Sequence, residues 1–180
     1  MSRIVIVDEH DRPIGLKERE KVGPEDIYRA SGLWITNSRG EALIAQRAMT
    51  KRVHPGRWAT AVAGTVDEGE DYDDNMIKET EEEIGLTLTI QDLTKGPLIF
   101  VKLHERRFFC QWYYYTTDLP ISAFTLKEDE VAAIRWISTE KFLEEIQLHP
   151  ERFLPDAYNI SVEVIAAQKS LTAPSGSTTK

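Results

Sequence analysis

Short β-rich runs separated by turns, with single helical segments set between them, predict an α+β chain in which helices cover a mixed β-sheet. Three observations carry that prediction. Runs such as 33–36 (LWIT), 98–103 (LIFVKL) and 108–116 (FFCQWYYYT) are rich in branched and aromatic residues. Residues 70–84 contain neither Gly nor Pro and are dominated by acidic and helix-forming residues. Gly and Pro fall between these segments and not inside them.

Residues 4–7 (IVIV) read as a strand, and His10-Asp11-Arg12-Pro13 supplies turn chemistry before Ile14, so the chain opens on a hairpin. Runs 33–36 and 42–45 flank Asn37-Ser38-Arg39-Gly40, which predicts a second antiparallel hairpin. The basic stretch 47–57 is broken into a loop by Pro55-Gly56, and 58–62 returns to a strand. Acidic residues open the helix over 70–84, where they suit its dipole, and Gly85 is a natural stop. Strands over 98–103 and 108–116 are joined through 104–107, and 131–137 forms another. Ser138 caps a helix over 139–147, and Asp156 caps a last one with Ile160, Val164 and Ile165 on its apolar side. Residues 1–169 then make one domain, and 170–180 (SLTAPSGSTTK) reads as a mobile polar tail.

With 180 residues, 41% of them hydrophobic and 29% charged, the chain suits one globular core and excludes collagen, coiled coil and wholesale disorder. A net charge of -8 argues against duplex nucleic acid as a partner, although a divalent metal can bridge an acidic protein to a polyanion. The single Cys110 excludes an intramolecular disulfide and any CxxC site. Asp8 interrupts the first apolar run, and no stretch approaches the ~18–20 apolar residues of a membrane span, so a cytoplasmic location is expected. Trp112, Tyr113, Tyr114 and Tyr115 have two readings, a core strand or a homodimer face. His54, in the Pro-Gly loop, reads as solvent-exposed, and Cys110 reads as a small core residue.

The segment 64–86, GTVDEGEDYDDNMIKETEEEIGL, says most about function. At about 100° per residue, Tyr72, Met76, Thr80 and Ile84 fall in one stripe that suits a sheet. Glu79, Glu82 and Glu83 form an acidic stripe beside it, while Glu81 points elsewhere. Like charges at that spacing destabilise a helix by roughly 0.2–0.5 kcal/mol per pair. A divalent cation reverses the sign, and Mg²⁺ favours such oxygen ligands together with substrate phosphates.

This segment resembles the Nudix box, G-x5-E-x7-R-E-U-x-E-E-x-G-U with U apolar. Gly64, Glu70, Glu79, Glu82, Glu83, Gly85 and Leu86 stand in its positions. Lys78 replaces the usual Arg, and Thr80 replaces an apolar residue. The resemblance implies a Nudix-type α/β/α sandwich with a mixed β-sheet. It also implies Mg²⁺- or Mn²⁺-dependent hydrolysis of a diphosphate bond in a nucleoside diphosphate linked to another group. By the same resemblance Glu79, Glu82 and Glu83, with the Ala63 carbonyl, are metal ligands. Gly64, Glu70, Lys78 and Gly85 shape the motif, and Glu70 braces the loop by pairing with Lys78. The catalytic residues are Glu79 and Glu82. Glu79 is the first choice for the base, with Glu128 and Glu130 of a later loop as alternatives.

The opening VDEHDRPIG and the later Gln46-Arg47 with Lys51 resemble the subgroup around isopentenyl-diphosphate isomerase. That resemblance makes Arg47 and Lys51 candidates for holding a small-molecule diphosphate substrate. Isomerisation also needs a Cys soon after the Pro-Gly loop, and 58–63 (WATAVA) has none, so hydrolysis is the preferred expectation. An isomerase-like enzyme and a non-catalytic binding module are the alternatives.

Overall fold

The computed structural model describes residues 2–172. Strands β1 (Arg3–Val7) and β2 (Pro13–Glu18) form the opening hairpin. The long strand β3 (Ile27–Thr36) then leads through a turn at Asn37 to β4 (Glu41–Arg47). The strand expected over 58–62 is two strands, β5 (Trp58–Thr60) and β6 (Val62–Thr65). Each answers to a different partner: β5 pairs with β4 and β6 with β3, both antiparallel, so the chain must turn at Ala61.

Helix α1 (Tyr72–Ile84) begins two residues later than the composition suggests. Asp71 caps it, its side chain accepting from the Asp74 N–H while the Asp74 side chain accepts from the Asp71 N–H. Gly85 ends it at φ 66°, a left-handed conformation that glycine adopts without a steric penalty. Strand β7 (Thr94–Lys102) starts four residues before the expected run, because its first residues reach Tyr113 and Tyr114 across the sheet. Strand β8 (Arg107–Thr116) lies parallel to β3 along ten residues, from Ile27 opposite Arg107 to Thr36 opposite Thr116. Strand β9 (Val131–Ser138) closes on β4.

Helix α2 (Thr139–Leu148) has Ser138 Oγ accepting from the Lys141 N–H, as expected of its cap. Asp156 behaves differently. It sits at φ 62°, and its carboxylate takes the Asn159 side-chain amide instead of a backbone N–H. Helix α3 (Ala157–Thr172) includes 170–172, the first residues of the expected tail; residues 173–180 lie outside the described ones.

Strand alternation builds two cores, one on each face of the sheet. Leu33, Ile35, Leu43 and Tyr113 face α1, where Met76 and Ile84 pack on them. Trp34, Ala42, Ile44, Cys110, Trp112 and Tyr114 face α2 and α3, meeting Phe142, Ile146, Val164 and Ile165. The sandwich is therefore helix, mixed sheet, helices, as the fold class requires. Trp112, Tyr113 and Tyr114 are buried in these cores, which bears out the core-strand reading for them, and Tyr115 is half-buried. No helix among the described residues is long and apolar enough to cross a membrane.

Candidate active site

Burying Met76, Thr80 and Ile84 fixes the roll of α1 and turns its acidic stripe toward a cleft of about 530 Å³. Thr80 fits the apolar slot because its hydroxyl donates to the Met76 carbonyl at 2.7 Å, which satisfies it inside the helix. Gly64, Ala63, Lys78, Glu79, Glu82 and Glu83 line the cleft. Arg47, Lys51, Lys127 and Glu130 line it too, as do Tyr28, Leu103, Phe108, Trp112 and Ile160.

Gly64 is required by contact. A β-carbon there would lie 2.3 Å from Cγ and Cδ of Glu79, so only glycine lets that carboxylate rest against β6. The bracing of Glu70 is shared. Lys78 Nζ donates to Glu70 Oε1 at 2.6 Å, while Oε2 accepts from Asn75 Nδ2 at 3.0 Å and from the Asp67 N–H at 3.2 Å. A lysine cannot grip both carboxylate oxygens as an arginine fork does, and Asn75 supplies the second hold. Burial works against the Glu70 charge, but the hydrogen bonds from Lys78 and Asn75 keep its carboxyl below the usual range. Burial likewise works against the Lys78 cation, and the Glu70 bond more than restores it.

Asn75 and Ser31 are the residues that sequence reading missed. Both are fully buried, Ser31 Oγ donating to Asn75 Oδ1 at 2.5 Å and Asn75 Nδ2 reaching the Thr65 carbonyl at 3.1 Å. One side chain thus ties α1 to β3, β6 and Glu70. The available signal was its spacing, one turn before Glu79 on the same side of the helix.

Glu79 and Glu83 both line the cleft, and neither has an ion-pair partner within 4 Å among the described residues. Burial raises the Glu79 carboxyl, and Glu82 adds to the rise against the opposing charge of Lys78. Burial and the Glu79 charge push Glu83 up to about 8, with the Ala63 N–H at 3.4 Å and Lys51 offsetting little of it. Glu82 stands at the outer end of the stripe, half-exposed, 3.7 Å from Lys127 Nζ. No three acidic, His or Cys side chains among the described residues converge into a finished ligand cluster. The donor set nevertheless suits a hard divalent ion: all-oxygen, along one flank of a helix, with its two inner carboxylates uncompensated.

The loop after β8 completes the wall. The Lys127 N–H donates to the Glu83 carbonyl at 3.2 Å and the Thr125 N–H to the Ile84 carbonyl at 3.0 Å, so the end of α1 holds this loop. Glu130 lines the cleft and bonds Lys51, whereas Glu128 is exposed and does not line it. His54 is half-buried, at φ 52°, and not fully exposed as expected. Cys110 touches the cleft floor, but burial pushes its thiol far above the ordinary range, which makes it a core residue and not a nucleophile.

Known proteins share this architecture. A family model described as the NUDIX domain matches residues 27–157. The Nudix hydrolase PA4841 of Pseudomonas aeruginosa is 32% identical over 160 residues, spanning 86% of this chain and 88% of that protein. An isopentenyl-diphosphate Delta-isomerase of Citrobacter koseri is 24% identical over 162 residues, 86% of this chain and 87% of the isomerase. The crystal structure of DR0079 from Deinococcus radiodurans, 22% identical, superposes with a TM-score of 0.75 over 90% of this chain and 98% of that one, which marks a common fold. Motif, fold and extent of match agree, and the chain belongs to the Nudix hydrolase family.

Proposed function

We propose that this enzyme uses Mg²⁺ or Mn²⁺ to hydrolyse a diphosphate bond in a nucleoside diphosphate linked to another group, by attack of water at phosphorus. The observation that carries this reading is the partly buried, mutually repelling pair Glu79 and Glu83 beside the Gly64 backbone. Such a pair is costly in an empty cleft and suited to a cation–diphosphate complex.

Glu79, Glu82 and Glu83, with the Ala63 carbonyl, would hold the metal. When bound, the ion neutralises diphosphate oxygens, orients them and lowers the pKa of water. Glu79 would accept the water's proton; that it lines the cleft, and that burial and Glu82 raise its carboxyl against the opposing charge of Lys78, supports this choice of base. Arg47 and Lys51 reach the same cleft from β4 and the loop after it, where they would hold the anion. Glu70, Lys78 and Asn75 keep the loop before α1 fixed, so that the acidic stripe and Gly64 hold their spacing.

Glu130→Gln is expected to lower kcat/KM roughly tenfold by releasing Lys51, and Glu128→Gln by less than about twofold. A fall in kcat beyond about 10²-fold for Glu130→Gln would move the base from Glu79 to Glu130. The reading as a whole is tested with purified protein, Mg²⁺ or Mn²⁺ titration and a panel of nucleoside diphosphate derivatives and isoprenoid diphosphates. Metal-dependent cleavage with oxygen from labelled water entering the phosphate supports it. An uncleaved panel, or conversion of isopentenyl diphosphate to its allylic isomer, would overturn it.

A further inference from the structure

The chain carries a net charge of -8, and most of its arginines are neutralised by carboxylates. Those without a carboxylate partner among the described residues are Arg47, Arg52, Arg57, Arg106 and Arg152. Arg47 and Arg106 are both partly buried, come from different elements and line the same cleft.

Arg106 sits in the connection between β7 and β8, and the alternation of the strand decides where it points. The next residue, Arg107, turns to the other side, donating to the Pro24 carbonyl at 3.1 Å and pairing with Glu25. Arg106 instead lies on the cleft side with its guanidinium 5.8 Å from the Phe108 ring centroid. Phe108 is itself stacked on Tyr28, centroids 5.4 Å apart at 22°. These two rings make a platform that can hold the guanidinium without neutralising it.

Arg47 lines the same cleft. Its Nε donates to the Val53 carbonyl at 3.2 Å, which leaves its remaining N–H groups for another acceptor. Burial disfavours the Arg47 cation, Glu83 and Glu130 favour it, and Arg106 opposes it. The half-buried His54 is kept from protonating by burial and then by Arg106, Arg57 and Arg47. A protein with excess negative charge thus gathers unpaired arginines in the cleft that its acidic helix lines, an arrangement that gains when an anion lies between them.

We propose that Arg106, acting with Arg47, forms an anion-binding pair in the cleft that grips the substrate's diphosphate, making Arg106 a specificity-determining residue for phosphoanhydrides. The word substrate rests on the function proposed above; the anion site does not. Arg106 is bound to the diphosphate in the ground state and equally during reaction, so its loss falls on binding more than on chemistry.

The test uses inorganic pyrophosphate as probe, with EDTA present and no added metal, followed by titration calorimetry. The variants are Arg106→Gln, Arg106→Lys and, as a control, Arg152→Gln, an unpaired arginine that does not line the cleft. Arg106→Gln is expected to weaken pyrophosphate binding about tenfold or more, Arg106→Lys to recover part of it, and Arg152→Gln to stay within about twofold. With metal and a cleaved substrate, Arg106→Gln is expected to raise KM with kcat within about threefold. Equal pyrophosphate binding by Arg106→Gln and wild type, no measurable metal-free binding by wild type, or an equal loss in Arg152→Gln would overturn the proposal. Weakened pyrophosphate binding in Arg106→Gln together with an uncleaved substrate panel keeps the anion site and removes hydrolysis. Hydrolysis with unchanged pyrophosphate binding does the reverse.

Discussion

Glu83→Gln is expected to lower kcat about 10³-fold or more while leaving the metal-free protein at least as stable as wild type at pH 8. The two effects have one cause. Glu83 is packed into the cleft against Glu79, with a 3.4 Å contact from the Ala63 N–H and the nearby Lys51 and Arg47 to favour its charge but no ion pair among the described residues. A buried carboxylate without a full partner opposes folding, and replacing it by an uncharged isostere removes that opposition. The same carboxylate would be a metal ligand, and losing it removes the electrostatic stabilisation on which phosphoryl transfer depends. Rates are read from phosphate release, and stability from denaturant unfolding in EDTA. A variant that loses activity because it unfolds would show the opposite stability change.

The metal-free protein is expected to lose stability as pH rises from 6.5 to 8, by on the order of 1–2 kcal/mol. The sign follows from Glu83. Its carboxyl is pushed up to about 8 in the folded protein by burial and Glu79, whereas an unfolded glutamate titrates near about 4.3. Across that interval the folded state holds a proton that the unfolded state has released, so stability falls as pH rises and levels off above about 8. Glu79, also raised, acts in the same direction. Two opposing contributions lie outside the window. The depressed carboxyls of Asp67 and Glu70 add stability that is lost only as pH falls into the acid range. His54, held neutral by burial and the nearby arginines, weakens the fold only below its ordinary titration near about 6.5. Denaturant unfolding in EDTA at several pH values reads the slope. Glu83→Gln or saturating Mg²⁺ is expected to flatten it, and a slope of opposite sign in wild type would contradict the assignment.

Much of this was legible in the sequence because periodicity reports which face of an element is buried. The stripe Met76, Thr80 and Ile84 fixed the roll of α1, and with it the direction of Glu79, Glu82 and Glu83. Gly85 and Ser138 act through local backbone chemistry, so their roles could be read from neighbours alone. What escaped depends on contacts distant in sequence. Asn75 matters because Ser31 lies opposite it, 44 residues away in the chain. The break at Ala61 arises because β5 and β6 pair with different strands. Arg106 and Arg107 look alike in sequence, and only the three-dimensional structure shows that Arg107, at the start of β8, pairs with Glu25 while Arg106, just before it, lines the cleft. Glu128 and Glu130 likewise separate only when the loop is tied to the end of α1.

The most direct test is titration of Mn²⁺ into wild-type and Glu83→Gln protein at pH 8, with the free ion followed by electron paramagnetic resonance. The expected result is saturable binding by wild type that weakens at least tenfold in Glu83→Gln, with the variant still folded. Binding of equal strength in both proteins, or none in wild type with a diphosphate substrate present, would contradict a metal held by the acidic flank of α1.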